Sequence, residues 1–309
     1  DTTASSDASS SSGDLVTVRD AVMTGQLDQY ATEIGLWQGI FEKYGIDLQT
    51  TEFVAGINTI DAVVNGTADI GMMADYAAVN RLGNTLDATN LQIFSQISGG
   101  QAALSGGLYV DPKYADDPKS QEGTVTYYYA SKCIEYLGLD ESKQNLINTD
   151  SSQTRLALIQ KGGASAVYAN GSEAKYIEEA GWVQVATSQE IGIQTGSYFL
   201  STDKYISENT DTLAKFLQAV DESTQYINDH LDESAEYLAD KLGLKAEDFK
   251  ENWKNYSFEP GFSEEATTHL EDIEKWGFEH GSFPKDYNIR DFINTDVAKI
   301  AFPDNVTME

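Results

Sequence analysis

The sequence holds one cysteine, Cys133, three histidines and five prolines in 309 residues. A single thiol can neither close an internal disulfide nor build a cysteine-rich zinc site. His230, His269 and His280 are too few for a histidine metal cluster and stand among Asp and Glu, which reads as three surface residues. Positive charge is also scarce: 20 Lys and Arg face 50 Asp and Glu, a formal charge of -30. Such a field repels phosphate backbones and anionic headgroups, so nucleic acid and a polybasic membrane contact are excluded as partners. No apolar run approaches the ~20 residues of a membrane-spanning helix. Gly-x-Gly-x-x-Gly, Walker-type, Gly-x-Ser-x-Gly and His-Glu-x-x-His signatures are all missing. The Ser-x-x-Lys matches at Ser172 and Ser201 read as helix caps. The stretch 111–122 has the length of a calcium loop, but Asp116 stands where that loop needs glycine. No catalytic residue, metal or cofactor is therefore expected.

What is present is an ordinary globular balance, 40% hydrophobic and 23% charged, long enough for two lobes. Residues 1–14, with six serines and nothing bulky, read as a flexible tether or a frayed start. Residues 15–19 alternate as a strand. A helix then runs from Asp28 to Tyr44, ended by Gly45, and strands follow at 46–53, 68–72 and 91–97. Between them lie helices at 57–65 and 75–82. A second block repeats the rhythm: strands at 104–110, 164–169 and 182–186, helices at 126–137, 154–161 and 173–180. From Asp203 the chain turns helical, with Leu213, Phe216, Leu217, Val220, Thr224 and Ile227 on one face. Strands alternating with helices imply an α/β fold with mostly parallel sheets. Residues 59–70 and 154–166 echo each other as helix, glycine stop and strand, as two related lobes would. The polar stretch 111–123 carries no strand, although a doubly wound lobe needs one before the helix at 126.

In open α/β sheets ligands bind beyond the carboxyl ends of the strands. The residues there are Gln26, Asp28 and Tyr30, then Asp75 and Tyr76, then Ser98, then Gly123, Thr124, Thr126 and Tyr127, then Tyr168 and Asn170, and finally Tyr198. The recurring tyrosines could stack on a planar or cationic guest or simply fill core and interlobe space. Asp28 and Asp75 sit at helix starts, where a carboxylate caps free amides or takes a ligand amine. The hydroxyls and amides from Gly123 to Thr126 could hold a sulfonate or carboxylate, or cap their helix. Cys133 reads as a packed core thiol.

The segment Gly35-Leu-Trp-Gln-Gly-Ile-Phe-Glu-Lys-Tyr-Gly-Ile-Asp-Leu48 and the segment Ile60-Asp-Ala-Val-Val-Asn-Gly-Thr-Ala-Asp-Ile-Gly71 carry a resemblance, joined by the helix start at Gly123-Thr124. The chain resembles the periplasmic-type substrate-binding proteins of ABC importers, in the group that captures nitrate, alkanesulfonates, taurine and thiamine-pyrimidine precursors. The resemblance implies a two-lobed type II fold with the ligand cleft between the lobes. One lobe would take residues 15–99, the second 100–196, and 197–309 would return to the first. It also implies delivery of a small organic ligand to a membrane permease, and a monomer is expected. The tyrosine-rich turns with Asp28 and Asp75 suggest an aminopyrimidine-like heterocycle or amine as that ligand, and the Thr124 helix start suggests a sulfonate. The place would be the outer face of the membrane, held by a lipidated cysteine ahead of residue 1, or the periplasm of a Gram-negative cell. An enzyme of pyrimidine-precursor metabolism on the same scaffold, or a ligand sensor domain, is the alternative.

Overall fold

Strand β1 (Val16–Met23) lies between β2 (Ile46–Phe53) and β3 (Ile70–Ala74), parallel to both. The computed structural model describes residues 15–86, 88–99, 106–116, 124–125, 127–147 and 152–308; the N-terminal stretch 1–14 lies outside them. Helices α1 (Leu27–Trp37), α2 (Ile40–Lys43), α3 (Gly56–Val64) and α4 (Asp75–Asn84) connect these strands and lead to β4 (Leu91–Ser98). The chain then makes β5 (Gly107–Val110), β6 (Thr124–Val125), α5 (Tyr127–Leu137), β7 (Leu146–Ile147), α6 (Ser152–Gln160), β8 (Ala166–Ala169), α7 (Gly171–Glu179), β9 (Val183–Thr187) and α8 (Ser188–Ile191). It returns through β10 (Ser197–Thr202) and ends in α9 (Asp203–Glu208), α10 (Thr210–Asp229), α11 (Leu231–Leu242), α12 (Ala246–Trp253), α13 (Glu264–Glu279) and α14 (Asp296–Ala301).

The first sheet has the order β2-β1-β3-β10-β4, and a second has β8-β5-β9. Each strand places alternate residues on opposite faces. In β10, Phe199 enters a core with Val18, Leu27, Phe94, Phe216 and Leu217, while Tyr198 and Leu200 enter another with Ile60, Met73, Phe262 and Ile273. In β5, Tyr109 joins Val167 and Ile177 on one face, and Leu108 and Val110 join Tyr168 and Cys133 on the other. The sheets thus carry cores on both faces, which is why β3, β5 and β8 read as apolar runs, while the edge strands β2 and β9 keep exposed polar residues. Cys133 is buried, as its sequence setting suggests, and burial pushes its thiol up to about 12.

Three expectations need correction. The sheets are mixed: β10 runs antiparallel to β3 and β4, and β5 runs antiparallel to β8 and β9. The helical crossovers that enforce parallel pairing are present for β1, β2 and β3. By contrast β5 and β10 are the strands that follow a passage between the sheets, where nothing enforces that direction. The helix expected from Asp28 to Tyr44 is two helices, because Gly39 takes a left-handed conformation (φ 67°) and breaks the ladder. Finally, the strand required before α5 exists as the short β6, parallel to β7. The internal echo is structural as well, since α3 and α6 both stop at glycines with positive φ, Gly66 and Gly162, before a strand.

The C-terminal helices lock onto the first sheet through close approaches. Phe283 reaches between α4 and α13, where a Cβ on Gly83 would lie 2.5 Å from its ring and one on Gly277 would lie 2.7 Å away. Gly83→Ala is expected to cost about 1–3 kcal/mol by overpacking, more than the gain of up to about 1 kcal/mol in helix propensity. Urea unfolding checks this, and an unchanged midpoint would remove the close approach as a constraint.

Candidate functional site

The carboxyl ends of β3 and β4 and the start of β10 meet at one edge, because Ser197 pairs with both Ala74 and Ser98. Their hydroxyls join there, with Ser98 Oγ 2.7 Å from Ser197 Oγ. Asp75 opens α4 at this edge and is 1% exposed. Its carboxylate does not cap the helix in the usual sense. Oδ1 accepts from Tyr76 N at 2.7 Å, and Oδ2 accepts from Gly196 N at 3.0 Å and from His269 Nε2 at 2.8 Å. The phenol of Tyr129 donates to both oxygens at 2.9 Å. In return Asp75 N donates to Gly196 O at 2.8 Å. A carboxylate with about four acceptor positions is saturated by this set.

Aromatic rings extend from this carboxylate. Tyr168 stacks on Tyr129 with centroids 4.9 Å apart, and its hydroxyl lies 3.1 Å from Ser188 Oγ. Tyr76 is parallel to Tyr128 at 6.3 Å, and its hydroxyl meets Ser282 Oγ. Trp276 meets both Tyr76 and Tyr128 edge-on. Burial, with the Asp75 charge next, holds the Tyr129 phenol well above its ordinary range, so it stays a neutral donor. For Tyr198 the same two causes act in the same order and direction.

Two cavities flank His269. One, of about 250 Å³, is lined by Gln96, Thr195, Tyr198, Glu259 and Glu265. The other, of about 320 Å³, is lined by Tyr128, Lys132, Glu264, Glu265 and Asp272. Gln194, Glu265 and His269 belong to both walls. Thr195 Oγ1, on the first wall, is buried with no hydrogen-bond partner among the described residues. Glu259, Glu264, Glu265 and Asp272 outnumber the single cation Lys132 in the two linings, so the local field favours a cationic or donor-rich guest.

The structure therefore brings Asp75, Tyr76, Ser98, Tyr168 and Tyr198 to one edge. Gln26, Asp28 and Tyr30 form a separate group at the β1–α1 turn. Gln26 holds the N-cap position without a side-chain cap bond. Asp28 Oδ2 accepts from Met23 N at 3.0 Å, closing the turn onto β1 rather than capping α1. Tyr30 packs edge-on against Phe249, Trp253 and Tyr256, which places it in an aromatic cluster with α12. Asn170 occupies the N-cap of α7. Thr124 lies in β6 and Tyr127 opens α5. Gly123 and Thr126 lie outside the described residues.

Sequence reading missed Tyr129, Glu259 and His269. His269 is buried, at 7% exposure, and bonded to Asp75, against the expectation of a surface residue; His230 and His280 are exposed as expected. Its partner lies 194 positions away, so no local spacing reports the pair. Ser201 is not a helix cap either: it lies in β10, and its hydroxyl donates to Asp69 O, while Thr202 caps α9.

Comparison with known proteins places the fold. The sequence profile described as NMT1/THI5 like matches residues 34–234. No curated protein matches the sequence. The periplasmic aliphatic sulphonate binding protein SsuA from Escherichia coli is similar in structure, with a TM-score of 0.76 at 16% identity over 93% of this chain and 99% of that one. The alkanesulfonate-binding protein SsuA from Xanthomonas axonopodis pv. citri, bound to MOPS, gives 0.72 at 13% identity over 92% and 99%. The periplasmic nitrate-binding protein NrtA from Synechocystis PCC 6803 gives 0.68 at 14% identity over 94% and 89%. The fold is that of the two-lobed periplasmic binding proteins, α/β in both lobes, as the resemblance implies.

Proposed function

Because the chain belongs to the NMT1/THI5-like family, we propose that it is a solute-binding protein that takes up a small nitrogen heterocycle or amine between its lobes and releases it unchanged to an ABC-type importer. The observation that carries this reading is the pair of cavities on either side of His269, each with one tyrosine, Tyr128 or Tyr198, and at least two carboxylates in its lining. Aromatic faces suit a planar guest, and Glu259, Glu264, Glu265 and Asp272 suit an amine donor. A sulfonate fits less well, since Lys132 is the one Lys or Arg among the described lining residues of the two cavities. The lobes divide near residues 99 and 197, and ligand contacts with both favour the closed arrangement by their differential affinity. A permease then reads the closed, ligand-filled form at the outer face of the membrane, with the binding protein acting as a monomer.

Isothermal calorimetry with 4-aminopyrimidine and with taurine tests the ligand class. Heat is expected for the pyrimidine and none for taurine; heat for taurine alone would overturn the amine reading. Mass spectrometry of the recovered ligand is expected to show it unaltered, whereas a converted product would make the protein an enzyme.

A further inference from the structure

Asp75 has four kinds of donor partner, and three of them belong to the first sheet and its C-terminal cover. Tyr76 N follows it on α4, Gly196 N precedes β10, and His269 lies on α13. Tyr129 alone among these described partners comes from α5, which packs on β7, β8 and α8 and on its other side meets α13, where Ser131 Oγ accepts from Trp276 Nε1 at 3.0 Å. Its ring is held there by stacking on Tyr168, itself anchored to Ser188. Separating the two sheets would leave the other three donors in place and free only the position that Tyr129 fills.

We infer that Tyr129 is a built-in occupant of the ligand-binding acceptor: its phenol takes on Asp75 the place of a planar ligand's N–H donor and latches the two lobes together until a ligand displaces it. The inference rests on the proposed reading of the cleft as a binding site. A phenol is a flat, neutral donor with an aromatic face, the same combination that the cavity walls suit. Thr195 Oγ1, on the adjoining wall, is buried without a hydrogen-bond partner among the described residues, and a guest in the cavity would lie beside it. The latch makes the protein selective by competition. A ligand binds only if its donor satisfies both Asp75 oxygens better than Tyr129 does, and an anionic guest cannot do so.

Tyr129→Phe keeps the ring and removes the donor. Small-angle scattering of the full ligand-free chain is expected to show a larger radius of gyration for this variant than for the wild type. A charge-assisted hydrogen bond of this kind is worth about tenfold or more in the open-to-closed ratio. Tyr109→Phe is the control, because Tyr109 donates to Glu178 at 3.0 Å on the far side of the second sheet, away from the cavities. It removes a bond of the same chemistry and is expected to leave the scattering curve unchanged. Superimposable curves for the wild type and Tyr129→Phe, with both folded by thermal melting, would overturn the latch. In calorimetry the variant is expected to bind 4-aminopyrimidine about tenfold tighter. If Tyr129→Phe opens the chain and neither protein binds the pyrimidine, the latch stands and the proposed ligand class falls.

Discussion

Replacing Asp75 with alanine is expected to destabilise the protein by about 3–5 kcal/mol, in the range of a buried charged group torn from its partners. The carboxylate is almost fully buried and receives Tyr76 N, Gly196 N, His269 Nε2 and the Tyr129 phenol. Alanine would leave these donors facing a dry gap, and each unsatisfied buried donor costs about 1–3 kcal/mol. Some of that cost is recovered where a donor can turn toward the cavities beside His269. The expected result in denaturant unfolding is a lower midpoint with an unchanged slope. A loss below about 1 kcal/mol would show that water reaches the site readily and that Asp75 is not the centre of the seam.

Asp20 is expected to produce the opposite effect. It lies in β1 at 1% exposure, and neither of its oxygens has a hydrogen-bond partner among the described residues. Desolvation, with the neighbouring Asp28 charge second, raises its pKa well above the ordinary value. Asp28, fully buried, is raised by desolvation to about 7. An acid with a higher pKa in the folded chain than in the unfolded one binds its proton more tightly when folded. Its contribution to stability is complete below the ordinary carboxylate value of about 4 and is lost as pH rises through the folded value. The wild-type midpoint is therefore expected to fall from pH 5 to pH 8, through the window that ends near 7 for Asp28. Asp20→Val matches Val18 and Val22, which share its face of the strand. It is expected to stabilise the chain by about 2–4 kcal/mol at pH 8 and by less at pH 5. Equal or lower stability than the wild type at pH 8 would mean that Asp20 has an ionic partner in solution.

Local pattern made the order of elements legible, and glycine stops such as Gly45 and Gly66 placed most helix ends. Strand direction was less legible, because an apolar run such as Leu108-Tyr-Val110 reads the same whichever way it pairs. Asp75 stood out because it follows a strand and begins a helix, a position that local spacing can find. Its role did not, since Tyr129, Gly196 and His269 come from three distant parts of the chain. Tyr129 is the third of three successive tyrosines, and which of them faces the first lobe depends on how α5 is set against β8. The turn residues Asp28 and Tyr30 illustrate the reverse. They sit where ligands commonly bind, yet the helices after β10 bring Phe249, Trp253 and Tyr256 onto Tyr30, a long-range choice that no window around Tyr30 contains.

The paired bonds between Asp75 and Gly196 also bear on how the molecule can bend. Gly196 O accepts from Asp75 N while Gly196 N donates to the same residue's carboxylate, so the peptide groups on both sides of this glycine are clamped to α4. Ser197, next in line, is tied to Ser98. The residue type best suited to swivel is thereby immobilised, and the torsional freedom of the return passage shifts upstream to Gln194 and Thr195. A lobe closure of the proposed kind is expected to bend the return passage there, beside the cavity wall and not within the sheet. A guest touching Thr195 would grip the pivot itself.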